Sequence, residues 1–249
     1  MFVRTVGYKL RLMAQWAIIT AGMWLLLLVA DGDVLLPSVR NYLMTFSAVQ
    51  LGTLLLIDPR LVEERWRISE KSRTSDRFAA SLTFLATLTF AALDVGRFHW
   101  LPSIPPNACL GSLLLFAAAS TLQMWAMVVN PFFSPEIRLQ PERGHRPITR
   151  GPYRLLRHPG YLAMLLAVPA SALAIGSYLA LVPAALFCLV LLKRVRAEEQ
   201  FLQRNLAGYT EYMDSVHGQL FPRMLFPSRP RQHSVSSNFA SEGPDRRWP

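Results

Sequence analysis

Arg157, His158 and Pro159 stand together at the head of an apolar run, and Glu198 and Glu199 stand together beyond the next one. These residue types suit one kind of ligand. A guanidinium and an imidazole satisfy a carboxylate through charge-assisted hydrogen bonds. A glutamate pairs with an ammonium. A helix that opens after a tight turn at Pro159 and Gly160 offers its free N–H groups to an anion. The combination predicts a site for a zwitterionic small molecule. The two cysteines, Cys109 and Cys188, fall inside separate apolar runs as small packing residues. Neither a disulfide framework nor a metal site is expected.

What must position these groups is a set of apolar helices. Of 249 residues, 52% are hydrophobic and 17% charged, too apolar for an ordinary soluble domain. The apolar residues also come in blocks, at 13–30, 42–57, 78–93, 108–129, 161–175 and 178–192. These approach the roughly 20 residues that a bilayer-spanning helix needs. The expected fold is all-α, a polytopic integral membrane protein with about six transmembrane helices. The first run lacks a small-residue cleavage pattern at its end, so a retained helix is expected rather than a signal peptide. Only Gly176 and Ser177 separate the last two runs. That predicts a tight helical hairpin, which brings Arg157 and His158 beside the stretch from Lys193 to Glu199.

Of the 26 Lys and Arg, 24 fall in alternate connections, the positive-inside distribution of a protein with both termini in the cytoplasm. The net charge of +10 is then topology and contact with anionic lipid. Nucleic acid is not expected, because aromatic-basic repeats for base stacking are missing. The chain divides into two N-terminal helices and a loop at 1–77, a membrane domain at 78–226, and a polar, Ser- and Pro-rich tail at 227–249 that reads as disordered. Within 58–77, an interfacial helix with Leu61, Trp66 and Ile68 at the headgroups is expected, with Ser72, Thr74 and Ser75 as caps for the third helix. The connection from Asn130 to Pro159 is long and polar, a kind that usually carries function. A charged helix after the hairpin breaks near Gly208 and resumes as a short amphipathic piece.

The strings GHRPITRGPYRLLRHPGYLA, RAEEQFL, GYTEY and LFP, in that order, resemble the isoprenylcysteine carboxyl methyltransferase family and its bacterial relatives. ALDVGRFHW and NPFFS look like the bacterial branch, and phosphatidylethanolamine N-methyltransferases share the plan more distantly. The resemblance covers about residues 85–222 and departs at Ala163, where the family has Gly. It implies an integral-membrane methyltransferase that uses S-adenosylmethionine and a lipophilic small-molecule or lipid-linked acceptor, in a bacterial inner membrane. Carried over, the cofactor-binding residues are His145, Tyr153, Arg157, His158, Pro159, Tyr161, Glu198 and Glu199, with Tyr209 and Tyr212 on a covering segment. The acceptor atom is a carboxylate, amine or thiol. An ionised acceptor needs no strong general base, so positioning carries the catalysis and no further catalytic residue is assigned. Asn130, Met127 and Ala163 are expected to border the acceptor. It would reach the site from the inner leaflet, between the fourth helix and the hairpin, along Met-rich and aromatic segments that adapt to irregular apolar partners.

Two other classes compete. A nicotinamide-dependent membrane reductase would be expected to have more helices and a larger basic set than this chain, whose paired glutamates oppose phosphate binding. A non-enzymatic transporter or scaffold should show ionisable groups at mid-membrane depth, and the apolar runs have none near their centres.

Overall fold

The computed structural model describes residues 2–32, 36–57 and 75–221. Among them the long regular elements are all helices: α1 (Phe2–Asp31), α2 (Pro37–Leu56), α3 (Ser75–Leu93), α4 (Pro106–Val129), α5 (Pro159–Ile175), α6 (Leu181–Asn205) and the short α7 (Tyr209–Ser215). A π-helical turn at Asp94–Phe98 continues α3, and two 3-10 turns, Pro141–Arg143 and Gly151–Arg154, punctuate the connection between α4 and α5. The interfacial helix expected around Leu61, Trp66 and Ile68, the caps expected at Ser72 and Thr74, and the tail at 227–249 lie outside the described residues.

The protein is an all-α membrane protein. Met13–Asp31, Asp76–Phe98 and Pro106–Val129 are long and apolar enough to cross a bilayer, and Pro159–Ile175 is apolar but shorter. Among the described residues these length and composition criteria mark three candidate spans, which leaves the expected count of about six unconfirmed. The difference lies in α2, which carries Arg40, Asn41 and Gln50, in the shortness of α5, and in α6, which turns charged from Lys193 onward.

Prolines set the helix starts. Pro37, Pro106 and Pro159 sit in the first turns of α2, α4 and α5, where the missing N–H has no intrahelical partner to lose. Asn130 leaves the helical region at φ −104°, ψ 100°, as the residue before Pro131 must. α5 is the centre of the bundle. Leu162, Ala163, Ala167, Ala170, Ser171, Ala172, Ala174 and Ile175 are all buried. Small side chains let neighbouring backbones approach closely where lipid supplies no hydrophobic drive between helices. α4 packs against α5 more extensively than any other pair of helices.

The hairpin between α5 and α6 is longer than the sequence suggested. Five residues, Gly176 to Ala180, lie between the helices. Gly176 caps α5 at φ 118°, a conformation open to glycine. The Ser177 Oγ accepts the Ala180 N–H at 3.2 Å and donates to the buried Asp94 carboxylate at 2.6 Å. The apolar Tyr178, Leu179 and Ala180 read as helix by hydropathy, but this serine-centred turn holds them outside it. The expected consequence survives: α6 runs back along α5. It then continues past the bundle until Leu206, and Gly208, at φ 78°, starts α7.

Candidate functional site

α6 carries its paired glutamates to the open end of α5, and there they part. Successive helical residues point about 100° apart, so Glu198 and Glu199 cannot face the same partner. Glu199 is buried and saturated. Its Oε1 accepts Arg157 Nε at 2.7 Å and Nη2 at 2.6 Å. Its Oε2 meets His158 Nε2 at 2.5 Å and the Tyr209 hydroxyl at 3.1 Å. Arg157 also donates from Nη1 to the Val216 carbonyl at 2.7 Å. The backbone N–H groups of Arg157 and His158 donate to the carbonyls of Gly218 and Gln219. Glu199 thus ties α6 to the head of α5 and to α7, while Arg157 and His158 hold the segment after α7. Burial raises the Glu199 carboxyl, but the hydrogen bonds and charges of His158 and Arg157 outweigh it and lower it to about 2.

Glu198 faces a cavity. Its Oε2 accepts the Tyr161 hydroxyl at 2.5 Å, and that hydroxyl accepts Arg194 Nε at 3.0 Å. Arg194 also donates from Nη2 to the Pro135 carbonyl. The cavity, of about 270 Å³, is lined by all three side chains and by His145, Tyr153, Arg157 and His158. Along α6 its wall reads Phe187, Leu191, Arg194, Glu198, Leu202, the spacing of one helical face. That wall turns from apolar to charged between Leu191 and Arg194. Met164 of α5 and Ala80 of α3 extend the apolar part.

The connection from Asn130 to His158 forms the rest. Asn130 donates from Nδ2 to the Tyr153 hydroxyl at 3.1 Å, and its Oδ1 accepts the Phe132 N–H at 2.9 Å. Tyr212 donates to the Tyr153 carbonyl at 2.8 Å. Burial pushes the Tyr153, Tyr209 and Tyr212 hydroxyls well above their ordinary value, so these groups keep their protons. Gln140, almost fully buried, is the hub. Its amide donates to the Phe132 carbonyl at 2.9 Å and accepts Arg143 at 2.6 Å, and its N–H is given to His145 Nδ1 at 3.3 Å. Burial, and then the Arg138 and Arg143 charges, lower the His145 imidazole. The ring is therefore neutral near pH 7, with its proton on Nε2, and it packs on Phe132 at 4.6 Å between centroids.

Of the residues singled out in the sequence, His145, Tyr153, Arg157, His158, Tyr161, Glu198, Asn130, Tyr209 and Tyr212 line this one cavity. Glu199 and Pro159 stand behind it. Met127 packs with Ile57 and Phe133, and Ala163 is fully buried, so neither borders the cavity. The α4–α5 seam is closed there by direct helix packing, and the apolar wall comes instead from α3, α5 and α6. Gly160 is no part of a turn. It lies in the first turn of α5, where an added Cβ would come within 2.8 Å of the Phe133 ring. Arg194 and Gln140 were not singled out. Arg194 reads in sequence as a charge neighbour of the glutamates on its own helix, although its spacing of four residues from Glu198 already places both on one face. Glu136 was also passed over. It lines the cavity, and one buried carboxylate oxygen has no hydrogen-bond partner among the described residues, standing 3.7 Å from Arg77 Nη1 in an ion pair.

Residues 112–204 match the family model described as the isoprenylcysteine carboxyl methyltransferase family. Over 93 residues the chain is 38% identical to proteins named "Probable protein-S-isoprenylcysteine O-methyltransferase" from Oryza sativa subsp. indica and subsp. japonica. Each alignment covers 35% of this chain and 47% of the relative. The chain thus spans about half the length of the curated relatives it matches.

Proposed function

We propose, from the match of residues 112–204 to the isoprenylcysteine carboxyl methyltransferase family model, that the chain transfers a methyl group from S-adenosylmethionine to the carboxylate of a lipophilic acceptor, an isoprenylcysteine or a group built like it, at the membrane face. The observation that carries this reading is the graded wall of α6, on which Phe187 and Leu191 give way to Arg194 and Glu198 within one cavity. Such a wall suits an acceptor with an apolar chain and an anionic end.

The residues present fit the methyl donor. Glu136, beside Arg77, and Glu198 offer carboxylates for its ammonium and sulfonium. Arg157, with two N–H groups left over from its described bonds, and the Nε2–H of His145 suit its carboxylate and its polar edges. Tyr153, His158 and Tyr161 complete the wall, with Glu199 and Pro159 holding it from behind. When bound, S-adenosylmethionine supplies an electrophilic methyl group to the acceptor's oxygen.

The chain's own part is positioning. Arg194 is held at Nε by Tyr161 and at Nη2 by Pro135, so its guanidinium is fixed at the level where the wall turns polar, and orients the acceptor carboxylate. That carboxylate is ionised near pH 7 and needs no base to activate it. Tyr161 keeps its proton on Glu198 and accepts from Arg194, which fixes both charges at a set distance. Apolar Met164, Phe187 and Leu191 keep water from the acceptor's chain. Geometry of this kind is worth several powers of ten in rate.

The test is methyl transfer by the purified full chain from labelled S-adenosylmethionine to S-farnesyl N-acetylcysteine, read as base-labile volatile methanol. Ester formation that is lost in Arg194→Gln is expected. Label appearing only in base-stable products would refute a carboxylate acceptor. No transfer to this acceptor or to a membrane lipid extract would refute the activity.

A further inference from the structure

The face of α6 turned away from the cavity carries a second, shallower hollow, lined by Leu189, Leu192, Lys193, Arg196, Ala197 and Gln200. We propose that this hollow binds one anionic phospholipid of the surrounding leaflet by its phosphodiester.

Its chemistry is ordered along the helix. Val182, Leu186 and Leu189 are 62%, 51% and 62% exposed. This is an apolar stripe, exposed among the described residues, of the kind that acyl chains cover. One turn on, Lys193 and Arg196 stand three residues apart, side by side on the helix surface, and both are exposed. Among the described residues neither forms an ion pair. Ala197 leaves room between them, and the Gln200 amide stands at the far rim. Two cations and an amide donor therefore meet an anion at the point where the apolar stripe ends.

The level is fixed twice over. On the cavity face α6 changes from apolar to charged between Leu191 and Arg194, and on the outer face between Leu192 and Lys193. Two faces of one helix that switch together mark the plane of the headgroups. A phosphodiester in that plane reaches Lys193 and Arg196 while its first methylenes lie on Leu189 and Leu192. A zwitterionic headgroup brings its own cation to the same place and gains less. Juxtamembrane Lys and Arg each contribute about 1 kcal/mol toward anionic lipid, and two acting together correspond to roughly 30-fold in affinity. This inference does not depend on the methyl-transfer reading.

The experiment places the full chain in nanodiscs of phosphatidylcholine with and without phosphatidylglycerol and measures retained lipid by native mass spectrometry. Preferential retention of phosphatidylglycerol is expected, falling roughly tenfold or more in K193Q/R196Q and unchanged in R204Q, which removes a cation from the same helix outside the hollow. Equal retention of the two lipids would overturn the proposal. So would an undiminished preference in K193Q/R196Q, or an equal loss in R204Q, which would make the effect one of general surface charge. Displacement by soluble glycerophosphate at millimolar concentration would also overturn it, because the ligand would then be a free phosphate. Circular dichroism of each variant separates loss of the site from loss of the helix.

Discussion

Glu198 and Glu199 are neighbours in sequence and opposites in structure. Glu199 accepts from Arg157, meets His158 and is closed off by Tyr209, so both of its oxygens are committed to the protein. Glu198 meets one described partner, the Tyr161 hydroxyl, and otherwise looks into the cavity. A carboxylate that is fully paired holds elements together, whereas one left with free lone pairs serves a ligand. The same contrast runs through their cations. Arg157 is engaged by Glu199 and Val216, while Arg194 is fixed by Tyr161 and Pro135 with its remaining N–H groups toward the cavity. One turn of α6 thus supplies both the fastening and the working wall of the site.

The sharpest way to break the comparison is to remove each charge in turn. Glu199→Gln leaves a buried guanidinium, 9% exposed by its side chain, without its counter-ion. Breaking a buried pair costs roughly 3–5 kcal/mol, so a fall of about 3 kcal/mol in unfolding free energy in detergent is expected, with methyl transfer lost alongside. Glu198→Gln removes no buried fastening. It should change stability by less than about 1 kcal/mol and reduce methyl transfer about 100-fold. Equal loss of stability in the two variants would erase the distinction.

The comparison was only partly legible in sequence. The apolar blocks announced the helices because a bilayer demands length and hydropathy that composition shows directly. Order along the chain announced that Arg157, His158 and the glutamates would meet. What sequence did not show was azimuth. Which of two adjacent glutamates turns inward depends on how α6 is rotated against α5, and the packing of Ala184, Phe187 and Leu191 against Val168 and its neighbours sets that. Gln140 was illegible for another reason. Its importance comes from side-chain and backbone bonds within an irregular loop, and no periodic pattern encodes such a hub. Met127 and Ala163 looked like acceptor contacts because they border the polar connection in sequence. In space, α4 and α5 pack them against each other's surroundings and away from the cavity.

A smaller effect tests the Glu199 fastening by pH. The Glu199 carboxyl is lowered from 4.5 to about 2. A group whose value is depressed on folding contributes stability that is fully present above its unfolded value and is lost as pH falls through the folded one. The stability gap between the native chain and Glu199→Gln should therefore be constant above about pH 4.5 and close between 4.5 and about 2. Thermal melts of both proteins across that window check it. A gap that stayed open at pH 2 would mean that the pair does not depend on an ionised Glu199.

The smallest expected effect concerns the apolar half of the cavity and asks whether its wall, rather than the α4–α5 seam, receives the acceptor's chain. Leu191 lines the cavity one helical turn from Arg194, whereas Ala163 is fully buried and outside it. Leu191→Trp narrows the apolar end; because Leu191 also packs with Val168, the variant is read only beside unchanged S-adenosylmethionine affinity, which shows that α6 has not turned. Turnover of a farnesylated acceptor should fall several-fold, that of a short-chain thioether analogue should hold within about twofold, and affinity for S-adenosylmethionine should stay the same. A several-fold fall corresponds to about 1 kcal/mol, the low end of what an apolar pocket discriminates for one methylene. Ala163→Gly is the matched control. It should cost about 1 kcal/mol of helix stability and treat both acceptors alike. If instead Ala163→Gly changed the ratio of long to short acceptor and Leu191→Trp did not, the acceptor's chain would lie along the α4–α5 seam, and α6 would serve only its polar end.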